Sequence, residues 1–411
     1  MDFFLRYKKI FLVIGFILIV VLLGYLLYVM FFRPAITPPV ETPTATTTIG
    51  GLPISGSGTG QIVGGAGTST LPVGVVIPTE GPSETATGGI TQTTKLNDDN
   101  SMGVTTSSNG NDLQYYNRND GKFYLIDKDG NTTALSDKVF YQVENITWSP
   151  NKNKAILEYP DGANIIYNFD TGKQITMPDH WEDFDFSPNG EQIVLKSIGL
   201  DPDNRWLAMA NEEGSNVRPL ESIGLNADKV ISSWSPNGQS VAMYVEGIDF
   251  DRQEVFFVGQ NNENFKSTII EGRDFRPLWS PEGDRLLYSV YSSKNEMKPN
   301  LWVVNAEGES IGSNRKNLNI ETWADKCAYT NDDELYCAVP NSLEEGAGLF
   351  PEMAEHTVDR LYKIDTRTGL KKLVAIPDGE YNMSDVIISE NGYYLYFTDK
   401  SDGTLHKINL K

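Results

Sequence analysis

Cysteine and histidine are scarce in this chain of 411 residues, which has only 2 Cys and 3 His. Two cysteines cannot form the framework of a disulfide-rich mini-protein or a multi-cysteine zinc module. The three histidines, His180, His356 and His406, leave little material for a histidine-rich metal site. Basic residues are also in deficit, at 34 against 55 acidic residues, for a net charge of -21. Such a chain repels polyphosphate, so we expect no nucleic-acid partner.

Recognisable catalytic patterns are also absent from the sequence. The G-x-S-x-G turn of α/β-hydrolases does not occur, and no complete twelve-residue calcium loop is present. Carboxylates are too abundant for a pair of them to indicate a glycosidase by itself. We therefore expect that the chain is not an enzyme, and we assign no catalytic, cofactor-binding or metal-binding residue and no cofactor.

Residues 10–32 form the one long apolar run, 23 residues without a charge. As a helix at ~1.5 Å per residue this run is long enough to cross the ~30 Å hydrocarbon core of a bilayer. The alternative, a cleaved signal peptide, fits less well because the run is long and ends in Phe-Phe-Arg-Pro. Arg6, Lys8 and Lys9 precede the run. By the positive-inside rule, residues 1–9 are predicted to be cytoplasmic and everything after the helix extracytoplasmic, at the plasma membrane.

Residues 33–110 are predicted to be a flexible linker. Pro, Gly, Thr and Ser make up more than half of the segment, and after Phe32 no aromatic residue occurs before Tyr115. Such a composition cannot bury enough apolar surface to offset its chain entropy. Only residues 71–78 (LPVGVVIP) have the composition of a strand, and they could pair with something downstream.

A short sequence motif, called the phrase below, recurs through the rest of the chain, residues 111–411. It consists of an aromatic or apolar residue, Ser or Thr, often Pro, then Asn or Glu, and usually Gly. The copies start at Trp148, Phe186, Trp234, Trp279, Tyr329 and Ile388. A run of apolar or alternating residues follows each copy, as in AILEY after the first and SVAMYV after the third. Pro, Asn and Gly in this order favour a tight turn, so each copy predicts a β-hairpin.

A second set of turns between the copies completes four strands per repeat, and no helical period lies between them. Four-stranded units repeated every 40–50 residues or so are typical of a β-propeller. We therefore predict an all-β fold, a propeller of four-stranded blades. Seven blades fit the strand count better than six, and six stays open. We expect N-terminal strands to close the ring on the last blade, because an open edge would template aggregation.

The W-S-P-N/E-G phrase resembles the repeat of the TolB-type, WD-repeat-like propeller family, over residues 111–411. The resemblance implies the propeller fold but no particular activity, because members of that family include periplasmic binding scaffolds and propeller domains attached to peptidases. The chain departs from that family in lacking the small α/β domain before the propeller, so the family's partners are not carried over.

Channel-lining positions follow from the period of two along each inner strand. If the aromatic residue of the phrase packs between blades, the residue three before it faces the channel. Polar residues at this position are Asn145, Asp183, Arg276, Lys326 and Asp385. We predict that these five form a binding ring. The alternative is that they line a wet channel and bind nothing.

Residues 340–359 interrupt the fifth copy between its second and third strands. Long loops in compact domains are usually functional or disordered. Leu349, Phe350 and Met353 would be apolar groups on an acidic loop, which makes them a candidate protein-docking spot. The alternative is that they fold back and cover the blade.

Cys327 and Cys337 lie on the two sides of the fifth turn, nearly opposite one another. In an oxidising compartment they could form a structural cross-strand disulfide. Two small buried hydrophobic residues are the alternative.

Taken together, these features predict a membrane-anchored extracytoplasmic propeller that acts as a protein-binding or scaffolding module of the cell envelope. The expected partner is an envelope protein or a glycan. One alternative is a propeller enzyme that acts on envelope glycans or peptides through carboxylates at the channel mouth. A purely structural component of the envelope is a third reading.

Overall fold

The computed structural model describes residues 18, 21–23, 25, 81–261, 263 and 265–411. The chain divides into two units, Met1–Val75 and Val76–Lys411. Among the described residues no helix is long and apolar enough to span a membrane. The predicted transmembrane run falls almost entirely outside the described residues, as do the linker up to residue 80 and the strand-like residues 71–78.

Seven β-sheets make up the described part of the second unit, and each is one blade of a propeller. Every blade has four antiparallel strands, and blade 6 carries a fifth strand in parallel pairing. The all-β fold and the preference for seven blades are confirmed.

The strand bounds of the first half are as follows. N-terminal strands are β1 (Ile90–Thr91) and β2 (Thr93–Lys95). Blade 1 is β3 (Ser101–Thr106), β4 (Leu113–Asn117), β5 (Lys122–Ile126) and β6 (Thr132–Ala134). Blade 2 is β7 (Asn145–Trp148), β8 (Lys154–Glu158), β9 (Ile165–Asn168) and β10 (Gln174–Thr176). Blade 3 is β11 (Trp181–Phe186), β12 (Gln192–Ile198), β13 (Arg205–Asn211) and β14 (Arg218–Ser222). Blade 4 is β15 (Val230–Ser232), β16 (Ser240–Asp249), β17 (Arg252–Gly259) and β18 (Thr268–Glu271).

The remaining blades follow the same order from the channel outward. Blade 5 is β19 (Arg273–Trp279), β20 (Arg285–Tyr291), β21 (Pro299–Asn305) and β22 (Lys316–Asn317). Blade 6 is β23 (Cys327–Asn331), β24 (Glu334–Pro340), β25 (Asp359–Asp365) and β26 (Lys371–Pro377). Blade 7 contains β27 (Met383–Ile388), β28 (Tyr394–Asp399) and β29 (Leu405–Asn409). Short 3-10 helices span Pro202–Asn204, Gly224–Lys229, Ser293–Asn295, Gly308–Ser310, Ala324–Lys326 and Pro351–Ala354.

The repeated phrase forms the turn between the first and second strands of a blade. In blade 2 the Ser149 hydroxyl donates to Asn151 Oδ1 at 2.7 Å and accepts from the Lys154 amide at 3.1 Å. Blades 3, 4 and 7 repeat both contacts from Ser187, Ser235 and Ser389. The aromatic residue before the serine reaches the preceding blade, as when Trp148 Nε1 donates to the Gly103 carbonyl at 2.7 Å. The local chemistry of the phrase therefore sets both the turn and the contact between blades.

Ring closure uses N-terminal residues, as expected, but not the ones expected. Strand β2 pairs antiparallel with β29, with Thr94 opposite Lys407, and so provides the outer strand of blade 7. Strand β1 lies parallel to β26 at the edge of blade 6. The outer edge that residues 71–78 could have supplied is thus occupied by Thr93–Lys95.

The start of the propeller also differs from the sequence-based boundary at residue 111. Residues 90–106 contain three strands of the sheets and belong to the folded unit. Strand β3 is the inner strand of blade 1, and Ser107 to Gly110 form its turn, with Ser107 Oγ donating to Asn109 Oδ1 at 2.8 Å. The phrase is hard to recognise in this copy because Thr106 stands where the other copies have an aromatic or large apolar residue.

Two faces of the propeller follow from the antiparallel order of the strands. We call the face with the serine turns the turn face. The opposite face, where the second strand of each blade connects to the third, is the mouth face. The predicted insertion lies on the mouth face of blade 6, between β24 and β25.

Candidate binding site in the central channel

A cavity of about 910 Å³ occupies the channel between the inner strands. Asn145 and Asp385, two of the five predicted ring residues, line it near the mouth face. Thr147, Asp185 and Lys152 line it further toward the turn face. The structure therefore brings together part of the predicted ring and adds residues that the ring did not include.

Asp385 is exposed to the channel from β27, where it adopts a left-handed backbone with φ of 45°. The register of β27 against β28 shifts between Ser384 and Ile387, which marks a β-bulge at this residue. The protein surrounding the channel raises the pKa of Asp385 by desolvation, and the nearby Asp325 carboxylate raises it further. A carboxyl group in such a site can accept a hydrogen bond or donate one, depending on pH.

Asp183 ties blades together and does not stand free in the channel. Its Oδ2 lies 2.8 Å from Lys196 Nζ and accepts from the Ser232 amide of blade 4 at 3.1 Å. On its other side the Asp183 amide donates to Glu158 at 3.1 Å, and Glu158 accepts from Asn145 Nδ2 at 2.7 Å. These contacts link blades 2, 3 and 4 around the channel and hold Asn145 in place.

Arg276 sits in a second, smaller cavity of about 150 Å³ at the mouth face, which Asp385 also lines. Its guanidinium lies 2.8 Å from Asp274 and 3.4 Å from Asp325. It also lies over the Trp323 ring, 5.9 Å from the centroid, in a cation–π arrangement. Arg276 and Asp385 therefore line the same small cavity at the mouth, together with apolar side chains such as Trp323 and Met383.

Lys326 also lines the smaller cavity that holds Arg276 and Asp385, but its side chain is buried and its ammonium group is bound by protein partners. It ends the 3-10 helix Ala324–Lys326 instead of lying on a strand. Its Nζ contacts Asp359 Oδ2 at 2.7 Å and Asn382 Oδ1 at 2.9 Å. The period-two expectation fails here because the strand starts one residue later, at Cys327. We assign Lys326 a structural role between blades 6 and 7.

Asp185 is a channel residue that the sequence reasoning missed. It lies two positions beyond Asp183, and period two along β11 could have indicated it. Its two carboxylate oxygens accept from the Phe186 amide at 2.8 Å and the Trp234 amide at 2.7 Å. Desolvation nevertheless raises the pKa of Asp185 to about 6. Asp185 therefore changes charge within the range of pH that many cells and compartments reach.

A pH-dependent contribution to stability follows from this raised pKa. A carboxyl group with a folded-state pKa above its unfolded value stabilises the protein at low pH, and this contribution is lost as the pH rises through the folded-state pKa. We expect the free energy of unfolding of the wild type, relative to Asp185→Asn, to fall between pH 4 and pH 7 by at most about 3 kcal/mol. Urea unfolding of both proteins across this range measures it. A difference that rises with pH would contradict the assignment.

The insertion is anchored by a small apolar cluster of Trp323, Leu343, Ala347 and Ala354. Leu349, Phe350 and Met353 remain 45%, 51% and 40% exposed. About half of each of these three side chains is therefore open to solvent. Pro351 and Ala354 of the same segment border the cavity that contains Arg276. Docking at the three exposed side chains stays a prediction.

Cys327 and Cys337 form a disulfide between paired positions of β23 and β24, with their Cα atoms 4.1 Å apart. Both residues are buried. The bridge closes a short loop around the turn of blade 6, where the serine phrase is least well preserved.

Removing the bridge has a measurable cost. We expect the double variant Cys327→Ala/Cys337→Ala to lose about 2–3 kcal/mol of unfolding free energy, mainly because its unfolded chain is less constrained. Wild type in a strong reductant is the matched control and should shift by a similar amount. Equal unfolding transitions with and without reductant would show that the cysteines are not bridged in solution.

Metal ligation has little support in the described ranges, where no group of three or more His, Cys, Asp or Glu side chains is arranged to hold an ion. His180 is exposed beside Asp179. His406 is buried beside the Thr404 hydroxyl, at 2.8 Å.

Comparison with known proteins identifies the fold. No protein-family model and no curated protein matches the sequence. The Cps50 (Swd1) β-propeller domain of Myceliophteria thermophila aligns with a TM-score of 0.52 and 11% identity, over 78% of this chain and 100% of that one. An oligogalacturonate lyase in complex with manganese aligns with a TM-score of 0.50 and 12% identity, over 78% of this chain and 93% of that one.

The chain shares its fold with these propellers. TolB from Acinetobacter baumannii aligns less well, with a TM-score of 0.41 and 12% identity over 67% of this chain and 66% of that one. The resemblance to the TolB-type repeat rests on the W-S-P-N/E-G motif in the sequence. At these identities the comparisons establish the fold and leave the function open.

One expectation from the sequence is wrong. We expected the chain not to be an enzyme, yet a propeller of this fold is an oligogalacturonate lyase. The absence of a serine-hydrolase turn excludes one reaction type only, and the fold itself is compatible with catalysis as well as with binding.

Proposed function

We propose that this protein is a binding module of the cell envelope that receives a polypeptide partner at the mouth of its propeller channel. The observation that carries the proposal is the cavity at the mouth that Arg276 and Asp385 line together with Pro351, whose neighbour in the chain, Phe350, is 51% exposed. A polar centre next to exposed apolar anchors is the arrangement that protein interfaces use. Rigid blades hold the binding groups, and loops vary around them.

Membrane anchoring is part of the same proposal. The charge-free run 10–32, preceded by Arg6, Lys8 and Lys9, supports an N-terminus in the cytoplasm and a propeller outside. The Cys327–Cys337 bridge is consistent with an oxidising compartment. Protease added to intact cells is expected to digest the propeller, and a propeller cut only after lysis would contradict this topology.

Crosslinking in cells tests the binding proposal. The full-length chain is compared with the double variant Arg276→Ala/Asp385→Ala, and captured proteins are identified by mass spectrometry. Arg367→Ala/Asp129→Ala is the matched control, because it also removes one charge of each sign but at exposed turns on the turn face. We expect the mouth variant to lose a partner that wild type and control both capture. Equal capture by all three would move the interface away from the mouth.

A second candidate is an enzyme that acts on envelope glycans or peptides. Asp325 and Asp385 border the same cavity, and the raised pKa of Asp385 is the property that a general acid requires. Turnover of an envelope glycan or peptide that Asp385→Asn abolishes and Asp129→Asn leaves intact would favour this candidate. No turnover over a broad panel of such substrates would argue against it.

A further inference from the structure

The turn between the first two strands of a blade has one position that almost always holds glycine. At this position the backbone amide donates to the carbonyl of the turn serine, at 2.8 to 2.9 Å in six blades. Five of the six residues are glycines with φ between 67° and 75°: Gly110, Gly190, Gly238, Gly283 and Gly392. The sixth is Lys152 in blade 2, with φ of 62°. Lys152 therefore adopts the left-handed backbone of a glycine while it carries a long charged side chain.

This conformation is costly for any residue with a Cβ atom. Residues held in such conformations persist where the surrounding structure fixes them, and they concentrate at functional sites. The Lys152 carbonyl is fixed by the Gln114 side chain of blade 1, whose Nε2 donates to it at 3.0 Å. Glycine would satisfy the turn equally well, as it does in five other blades, so the turn itself does not explain the lysine.

The Lys152 side chain lines the channel cavity. Within the described ranges it has no carboxylate within 4 Å, although the chain carries a net charge of -21. The two buried lysines of the described residues, Lys196 and Lys326, by contrast pair with Asp183 and Asp359. Burial lowers the pKa of Lys152, and no neighbouring carboxylate offsets the effect. An ammonium group that is partly withdrawn from water and has no carboxylate partner favours a ligand that supplies the opposite charge.

The rest of the cavity lining limits what that ligand is. Four carboxylates line the same cavity, Asp185, Asp385, Asp399 and Asp402, against Lys152 and two further cationic side chains, Arg118 and Lys400. Because the four carboxylates outnumber the three cationic side chains, the lining as a whole disfavours a polyanion, whether an acidic glycan or a phosphorylated chain. A ligand with one carboxylate and otherwise neutral or basic groups fits this lining. Its carboxylate would face Lys152, and its other groups would face the channel carboxylates. The carboxyl end of a polypeptide has this charge distribution.

We propose that Lys152 binds the terminal carboxylate of a polypeptide that enters the channel from the mouth face. The contact is a charge-assisted hydrogen bond from Nζ, and the channel carboxylates face the neutral or basic residues that precede the terminus. This inference rests on the proposed function, because it names the group that the partner places in the channel.

Protection of Lys152 from an amine-reactive label tests the inference on the full-length protein. The probes are trialanine, trialanine amide and acetate, and mass spectrometry reports the labelling of each lysine. We expect trialanine to slow the labelling of Lys152 by about tenfold, as a charge-assisted pair would, and trialanine amide to leave it unchanged. Exposed Lys128 serves as the internal control. Equal protection by trialanine and its amide would overturn the role of the carboxylate. Equal protection by acetate and trialanine would overturn the polypeptide as its source.

The variant Lys152→Gly separates binding from folding. It restores the residue found at this position in five other blades, so its Tm is expected to be no lower than that of the wild type. We expect it to lose the calorimetric binding of trialanine, whereas Asn216→Gly, which replaces another left-handed residue on a surface turn, keeps it. Undiminished binding by Lys152→Gly would overturn the inference.

Failure of this inference is distinguishable from failure of the proposed function. Partner capture in cells that depends on Arg276 and Asp385 but not on Lys152 would overturn the inference and leave the proposed function standing. Trialanine binding that depends on Lys152, with partner capture unaffected by the Arg276→Ala/Asp385→Ala variant, would contradict the proposed mouth interface.

Discussion

A chain that begins at residue 111 is expected not to form a stable propeller, whereas one that begins at residue 81 is. The shorter chain lacks β3, the inner strand of blade 1, and β2, the outer strand of blade 7. It would leave two incomplete blades side by side and the pairing edge of β29 open. Circular dichroism and thermal unfolding of both chains measure the effect, and we expect loss of the cooperative transition in the shorter one.

A chain of intermediate length identifies which strand matters. A chain that begins at residue 97 keeps β3 and lacks only β1 and β2. We expect it to fold with a lower Tm and a greater tendency to aggregate than the chain from residue 81, because only outer strands are lost. A cooperative transition at the same Tm for all three chains would contradict the described closure of the ring.

The substitution Lys326→Ala is expected to cost about 3–5 kcal/mol of unfolding free energy, because it leaves a buried carboxylate without its partner. Asp359 is 0% exposed, and its Oδ2 otherwise accepts only from the Met383 amide at 2.7 Å. Burial already raises the pKa of Asp359. In the variant this carboxyl group should take up a proton more readily, so the cost should be smaller at pH 5 than at pH 8. Urea unfolding at both pH values measures it.

Two control variants make this prediction specific. Lys326→Met/Asp359→Leu removes both charges and should recover much of the stability lost in Lys326→Ala. Lys173→Ala breaks the pair with Glu213, in which both side chains are more than half exposed, and should change the unfolding free energy by less than about 1 kcal/mol. A small effect of Lys326→Ala, similar to that of Lys173→Ala, would show that Lys326 faces the channel as the sequence suggested.

The architecture could be predicted because each blade repeats the same local chemistry. Ser149 and its counterparts make their contacts within a few residues, so the turn phrase reports directly on structure. The first copy was missed because Gly103 and Thr106 replace the large side chains of the other inner strands. The Ser-Ser-Asn-Gly sequence from Ser107 to Gly110 was the available signal.

The channel site was only partly predictable, since side-chain direction depends on details that a repeat does not encode. Asn145 reaches the cavity as period two requires, whereas Asp385 reaches it from a β-bulge. Lys326 points into the protein because a 3-10 turn precedes its strand. The bulges in β11 and β27, at Asp183 and Asp385, shift the alternation locally. The role proposed for Lys152 rests on its left-handed backbone. In the sequence, the only sign of this backbone is that the turn of blade 2 has Lys152 where five other blades have glycine.

Fold comparison leaves both binding and catalysis open. Variants of the channel residues can tell a binding module from an enzyme. The two functions predict different consequences for Asp385. A binding group is expected to affect partner capture without any turnover. A general acid is expected to affect turnover with a pH dependence that follows the raised pKa of Asp385.

The most direct test of the central claim is the comparison of proteins captured in cells by the wild type, Arg276→Ala/Asp385→Ala and Arg367→Ala/Asp129→Ala. The account predicts one or more polypeptide partners that the wild type and the turn-face control capture equally and that the mouth variant loses. If the mouth variant folds with the wild-type Tm and captures the same partners to the same extent, the channel mouth is not the binding site.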